Sequence, residues 1–182
     1  MKINPEIFSH IKEEHLLNEQ QLIEQIYEEF GMGILLKMAQ KASEVKNNAY
    51  APYSNYQVGA SVLTIDEQIF TGVNAEAVSY TQTTHAEESA IRNAISTGVI
   101  RELGQHFIAA ILYASPDSEF GAPCGHCRQI ISDHAENCVV AQGTADGDLK
   151  HVTTLSLIFP FSFSVLTFEY NYGVNIGLEP MT

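Results

Sequence analysis

Basic residues are scarce in this chain of 182 residues: nine Lys and Arg stand against 22 Asp and Glu, for a formal net charge of −13. Nucleic-acid binding rests largely on neutralising phosphates with Lys and Arg. Nine cations scattered along an acidic chain therefore argue against DNA or RNA as a partner. Cysteine is scarce too. Three are present, an odd number that makes no disulfide framework and suggests a reducing compartment. Long apolar runs are missing: the longest, 155–168, is interrupted by Pro160 and several hydroxyls, and is too short to span a bilayer. Residues 1–14 are charged throughout, with none of the apolar core of a secretory signal. The expectation is a cytoplasmic protein with no membrane association. There are no repeats or low-complexity linkers. The length fits one domain, or one domain plus an appendage, and such a chain buries roughly 70% of its unfolded surface without covalent staples.

Residues 1–32 read as acidic helices with an apolar stripe that includes Leu22, Ile26, Tyr27 and Phe30. They carry no chemical signature, and His10 and His15 read as surface residues. We take 1–32 as a helical N-terminal appendage and 33–182 as the domain that holds the chemistry, with a C-terminal tail. Leu35, Leu36, Ala39, Ala42 and Val45 recur at helical spacing, which predicts a helix over 34–48. Strands are predicted over 56–65 and 68–73 around an Asp66-Glu67 turn. A helix over 85–97 should stop at Gly98. The continuous apolar run 107–113 reads as a central strand buried on both faces. A helix from about 124 to 135 and strands over 138–142 and 149–153 complete the pattern. Helices and strands interleave, so the expected class is α/β, with a mixed sheet covered on its faces.

Two short stretches carry the chemistry: Thr84-His85-Ala86-Glu87 and Pro123-Cys124-Gly125-His126-Cys127. Imidazole and thiolate are preferred ligands of zinc. Cys124 and Cys127 are three apart, so in the first turn of a helix they share a face, and the positive helix end favours the thiolate forms. His85 is placed where the other helix begins. A capping position is not bound by helical angles, so His85 and Glu87 can both face one point. Structural zinc takes four protein ligands, whereas catalytic zinc takes three and keeps a position open for water. His85, Cys124 and Cys127 make three. Cys138, in an apolar strand, reads as a buried thiol rather than a fourth ligand, and His126 points elsewhere on its turn. Two thiolates balance the charge of one zinc ion. A carboxylate beside such a site, Glu87, can move a proton; by itself it would read as a first-turn residue favoured by the helix dipole.

H-x-E followed by P-C-x-x-C is the general signature of zinc deaminases. Three further stretches narrow it. Tyr50-Ala51-Pro52-Tyr53-Ser54-Asn55-Tyr56-Gln57-Val58-Gly59-Ala60, Gly72-Val73-Asn74-Ala75-Glu76 and Pro123-Cys124-Gly125-His126-Cys127-Arg128-Gln129 resemble the YAPYSNFxVGA, GxNxE and PCGxCRQ segments of the zinc-dependent cytidine/deoxycytidine deaminase family. The resemblance runs from about residue 34 to 164. It implies a three-layer α/β/α sandwich with a mixed sheet of about five strands, and one Zn2+ per chain. It also implies hydrolytic deamination of cytidine and 2′-deoxycytidine in pyrimidine salvage. Glu87 would be the catalytic proton carrier. Asn74 and Glu76 would bind the ribose hydroxyls, as a buried pair on a strand edge. Tyr56, in place of a Phe, would pack on the base, and its phenol would need a polar partner if buried. The Ala86 N–H would meet the base carbonyl.

His85 with Glu88 after Glu87 resembles the longer dimeric bacterial members, whereas short tetrameric ones often carry Cys and Arg at those places. A homo-oligomer, dimer or tetramer, is implied. Leu157-Ile158-Phe159-Pro160-Phe161-Ser162-Phe163 resembles the family's LLPFAF, whose last Phe reaches a neighbouring subunit's site; Phe163 is the matching residue. Ser164-Val165 replace the Gly-Pro that usually follows. Other readings are a deaminase of another small aminopyrimidine, such as a cytosine-bearing antibiotic, a structural zinc module, or a C-x-x-C redox protein.

Overall fold

The computed structural model describes residues 19–116, 121–160 and 162–163. Helices α1 (Glu19–Phe30) and α2 (Met32–Lys46) precede the hairpin of β1 (Gly59–Thr64) and β2 (Ile69–Val73). A 3-10 turn (Tyr80–Gln82), α3 (Ala86–Ser96) and the short α4 (Val99–Leu103) lead to β3 (Ile108–Ala114). Then come α5 (Gly125–Asp133), β4 (Val139–Gly143), β5 (Leu149–Thr154) and the single turn α6 (Leu155–Ile158). The five strands form one sheet in the order β2-β1-β3-β4-β5. β3 and β4 run parallel, and the other neighbours are antiparallel.

β3 lies in the middle of the sheet and is buried along its whole length, which is what an apolar run without alternation requires. Opposite Leu63 and Thr64 the pairing skips from Ala110 to Ile108. Ala109 is the extra residue of this bulge, so Ala109 and Ala110 both belong to the same side of the core.

Helices cover both faces. On one, α2 packs Leu35, Met38, Ala39 and Ala42 against Leu63, Leu112, Ala141 and Val152. Ile26 of α1 is buried in this same cluster. The stripe of α2 is rotated from the predicted one: Met38 and Lys46 are buried, and Leu36 and Val45 lie at its margin. On the other face, α3 packs Ala86, Ala90, Ile91 and Ala94, and α5 packs Ile131, against Ala60, Val62, Ile111 and Val140. This is the three-layer α/β arrangement expected from the resemblance. Burying one such Ile or Leu stabilises the fold by about 1.5–3 kcal/mol.

Two glycines decide how closely the helices approach. A Cβ on Gly59 would overlap the Ala42 carbonyl oxygen of α2, and a Cβ on Gly72 would overlap the Ala90 nitrogen and Ala86 oxygen of α3. They seat the helices of opposite layers on β1 and β2. Gly98, at φ 93°, ends the predicted 85–97 helix, and the separate turn α4 follows it. Residues 1–18 and the tail after Phe163 lie outside the described residues.

Candidate metal centre and ligand cleft

Two helix starts converge on one point. His85 is the N-cap of α3, with extended backbone at φ −83° and ψ 156°, and Cys124 is the N-cap of α5 at φ −64° and ψ 167°. Neither side chain caps its own helix. Each turns outward, and Cys127 follows one turn into α5. His85 Nδ1 lies 3.3 Å from Cys124 Sγ and 3.4 Å from Cys127 Sγ, and the three ligand atoms are within 4.8 Å of one another.

Zinc–sulfur bonds of about 2.3 Å and zinc–nitrogen bonds of about 2.0 Å at a tetrahedral centre put sulfur and nitrogen about 3.5 Å apart. The donor set and its spacing thus fit one zinc ion, with three protein ligands. Burial, and then the nearby Glu87 carboxylate, push the Cys127 thiol upward. A cation among these groups reverses both effects. His126 and Cys138 are not in the cluster. His126 Nε2 lies 3.3 Å from Glu88 Oε2, and its ring meets that of His85 edge-on at 5.4 Å. Cys138 is a buried free thiol.

Glu87 is 6% exposed, in the first turn of α3 beside the triad. Burial raises its pKa above the usual carboxylate range, partly offset by its own backbone N–H and by the Cys127 thiol. Glu88 is partly buried, and Arg92 Nε donates to it at 2.8 Å. The adjacent carboxylates therefore occupy different environments: one dry and next to the metal ligands, one paired with Arg92 and His126.

His85 and Cys124 of the triad line a cleft of about 470 Å³, together with Tyr56, Asn74, Glu76, Ala86 and Glu87 among others. Asn74 and Glu76 follow the end of β2. Between them Ala75 bridges Tyr50 on one side and Thr84 on the other, so the chain stays extended and the two alternate side chains share the cleft.

The profile of the cytidine and deoxycytidylate deaminase zinc-binding region matches residues 32–142. The chain belongs to that family. Among its relatives, "Cytidine deaminase" of Sporosarcina psychrophila is 32% identical over 135 residues, which is 74% of this chain and 94% of the relative. "Cytidine deaminase" of Halalkalibacterium halodurans is 31% identical over 66% of this chain and 88% of its own. The crystal structure of cytidine deaminase from Burkholderia pseudomallei superposes with a TM-score of 0.63 at 32% identity, covering 70% of this chain and 97% of that one.

Within this family frame, the expectations for Asn74, Glu76 and Tyr56 change in detail, and Phe163 is found at the surface. The Asn74–Glu76 pair is half-buried at the cleft rather than buried, because the strand edge ends at Val73 and the pair lies in the loop beyond it. Asn74 Oδ1 accepts from the Val58 N–H at 2.8 Å, and its Nδ2 donates to the Tyr56 carbonyl at 2.9 Å. That side chain takes backbone groups a strand partner would use, which is why β1 begins at Gly59 rather than Tyr56. Tyr56 itself is 44% exposed, so its phenol is open to water and needs no buried partner. Phe163 is 58% exposed and lies outside the residues lining the cleft; its carbonyl accepts from Gln129 Nε2 at 2.8 Å.

The structure adds residues whose role the motifs did not reveal. Glu76 accepts the backbone N–H groups of Tyr53 and Ser54, at 2.8 and 3.2 Å, and the Ser54 hydroxyl. The Ser54 hydroxyl first, then these N–H groups, hold the Glu76 carboxyl below the usual range. Asn55, at φ 56°, makes the turn that aims them, in a conformation Asn tolerates. Arg128 donates to the carbonyls of Pro123 at 2.6 Å and Ile158 at 2.8 Å, tying the start of α5 to α6. Tyr113 and Ser115 also line the cleft. A tyrosine ending an otherwise aliphatic run was the one available signal for the former.

Proposed function

We propose that this chain is a zinc-dependent hydrolase that deaminates cytidine and 2′-deoxycytidine to uridine and 2′-deoxyuridine plus ammonia. The observation that carries it is a buried Glu87, its pKa raised by desolvation, beside a three-donor metal site at a nucleoside-sized cleft. His85, Cys124 and Cys127 hold one zinc ion, which when bound supplies activation of water at neutral pH. Glu87 takes a proton from that water and delivers it to the ring nitrogen N3. It later carries a proton to the departing amine, so that water adds at C4, the C4–N bond breaks and ammonia leaves. A raised carboxyl pKa suits a group that must both accept and give a proton near neutrality.

Tyr56 offers its ring to the pyrimidine, and the Ala86 N–H meets the base carbonyl. Asn74 and Glu76 bind the sugar hydroxyls. Each keeps hydrogen-bonding capacity beyond its protein partners: Asn74 has a second amide hydrogen, and Glu76 has further lone pairs. The working form is a homo-oligomer, dimer or tetramer. The exposed Tyr53–Tyr80 ring pair, at 6.3 Å, and the exposed Val78 and Phe163 support it, with Phe163 reaching a neighbouring subunit. The role is pyrimidine salvage in the cytoplasm. Among the described residues no helix is long and apolar enough to cross a membrane.

Metal analysis combined with the ultraviolet loss of cytidine absorbance tests this reading. One zinc per chain with turnover of cytidine, and much weaker turnover of free cytosine, is expected. Zinc-replete protein that leaves both nucleosides unchanged would return the site to a structural zinc module.

A further inference from the structure

Two hydroxyls of cleft-lining residues lack a protein partner among the described residues. Tyr113 Oη and Ser115 Oγ are buried side-chain atoms without a hydrogen bond among the described residues, and each residue is only 5% exposed. Buried polar side-chain atoms are nearly always satisfied, because leaving one unpaired forfeits its hydration with nothing in return. Both orphans are found in one place. Tyr113 and Ser115 are two apart at the C-terminal end of β3, so strand alternation turns them to the same side. That side is the layer of α3, and both line the cleft with Glu87, Tyr56 and Ala86. Elsewhere in the core, buried polar side chains are paired: Ser61 donates to the Met38 carbonyl, and Asn137 accepts from the Cys138 N–H.

We propose that the Tyr113 and Ser115 hydroxyls are ligand groups, which hydrogen-bond the polar edge of the heterocycle bound in the cleft and so help to determine which ring the site accepts. A site built to hydrogen-bond a ring rejects one that cannot answer, because the buried groups are then left unpaired. Burial, and then the charge of Glu87, raise the Tyr113 phenol, so it remains a neutral donor throughout the working range. The proposal rests on the deaminase reading for the identity of the ring, a pyrimidine nucleoside, but not for its turnover.

Calorimetric binding of uridine to zinc-loaded wild-type protein, Tyr113→Phe and Ser115→Ala tests it, together with zinc content, melting temperature and cytidine kinetics. Each variant is expected to keep its zinc, to bind uridine about tenfold more weakly, the loss typical of one hydrogen bond, and to show a larger change in KM than in kcat. Its melting temperature without ligand should not fall, since no protein hydrogen bond is lost. Unchanged uridine affinity in both variants overturns the proposal, as does a lowered melting temperature with affinity intact, which would make the hydroxyls structural. Wild-type protein that binds no uridine also overturns it. Wild-type protein that binds uridine in a Tyr113-dependent way but converts no cytidine refutes the deaminase reading and leaves this assignment standing.

Discussion

His85 and Cys124 hold the same structural post on two different helices. Each is an N-cap residue in extended conformation, and the Nδ1 of one lies 3.3 Å from the Sγ of the other. The metal site is thus the meeting point of two helix N-termini, whose partial positive charges favour thiolates. Removing one ligand should remove the metal rather than the fold. Cys124→Ala and His85→Ala are each expected to lose stoichiometric zinc while keeping the far-ultraviolet dichroism of the wild type. Chelation of the wild type should abolish turnover, and added zinc should restore it. Plasma emission metal analysis beside an activity assay checks both.

Glu87→Gln keeps the shape of the side chain and removes its ability to carry a proton. Zinc content and melting temperature should hold, and kcat should fall by at least about 100-fold, the lower end for a positioned proton carrier. Near-normal turnover in the zinc-replete variant would remove Glu87 from its assigned role.

Glu76 and Asn74 should matter to nucleosides and not to the free base. For Glu76→Gln and Asn74→Ala we expect kcat/KM for cytidine to fall by about 10- to 100-fold, the range for hydrogen bonds involving a charged group. Cytosine should show no parallel fall. Equal losses on both compounds would mean that these residues act through the loop they brace, by way of Val58, Tyr53 and Ser54.

Gly72→Ala probes the seat of α3. The added methyl would meet backbone atoms of Ala90 and Ala86, which cannot swing aside as a flexible side chain could. A stability loss of about 1–3 kcal/mol, with activity reduced as α3 carries His85 and Glu87 away, is the expected result. Gly33→Ala is the control. It is helical and has open space around it, so it should be neutral or stabilising. Denaturant titration of the two variants separates them.

His134, at the end of α5, has its pKa lowered by burial, opposed in part by its hydrogen bond to the Gln105 carbonyl. The fold therefore prefers the neutral ring. The unfolded chain titrates near 6.5, so below that pH it binds the proton that the fold refuses. This contribution to stability is complete above about 6.5 and is lost as pH falls toward the folded value. Melting temperatures from pH 7.5 to 5 should drop less steeply for His134→Gln than for the wild type.

The sequence by itself was enough for the elements that depend on local pattern and for the donor set. The apolar run of β3, the turn at Asp66-Glu67 and the stop at Gly98 are short-range effects, legible one segment at a time. The types of His85, Cys124, Cys127 and Glu87 name a metal chemistry wherever the fold brings them together. Tertiary structure alone decided the rest, because it depends on residues distant in the chain. The buried face of α2 moved to Met38 and Lys46 because Gly59 lets that helix settle closely on β1. Strand β1 began late because the Asn74 amide, 16 residues on from Val58, had taken its backbone partners. Tyr113 and Ser115 became cleft residues only when the end of β3 was set beside the start of α3, a juxtaposition created by the β2-β1-β3 sheet order rather than by any spacing along the chain.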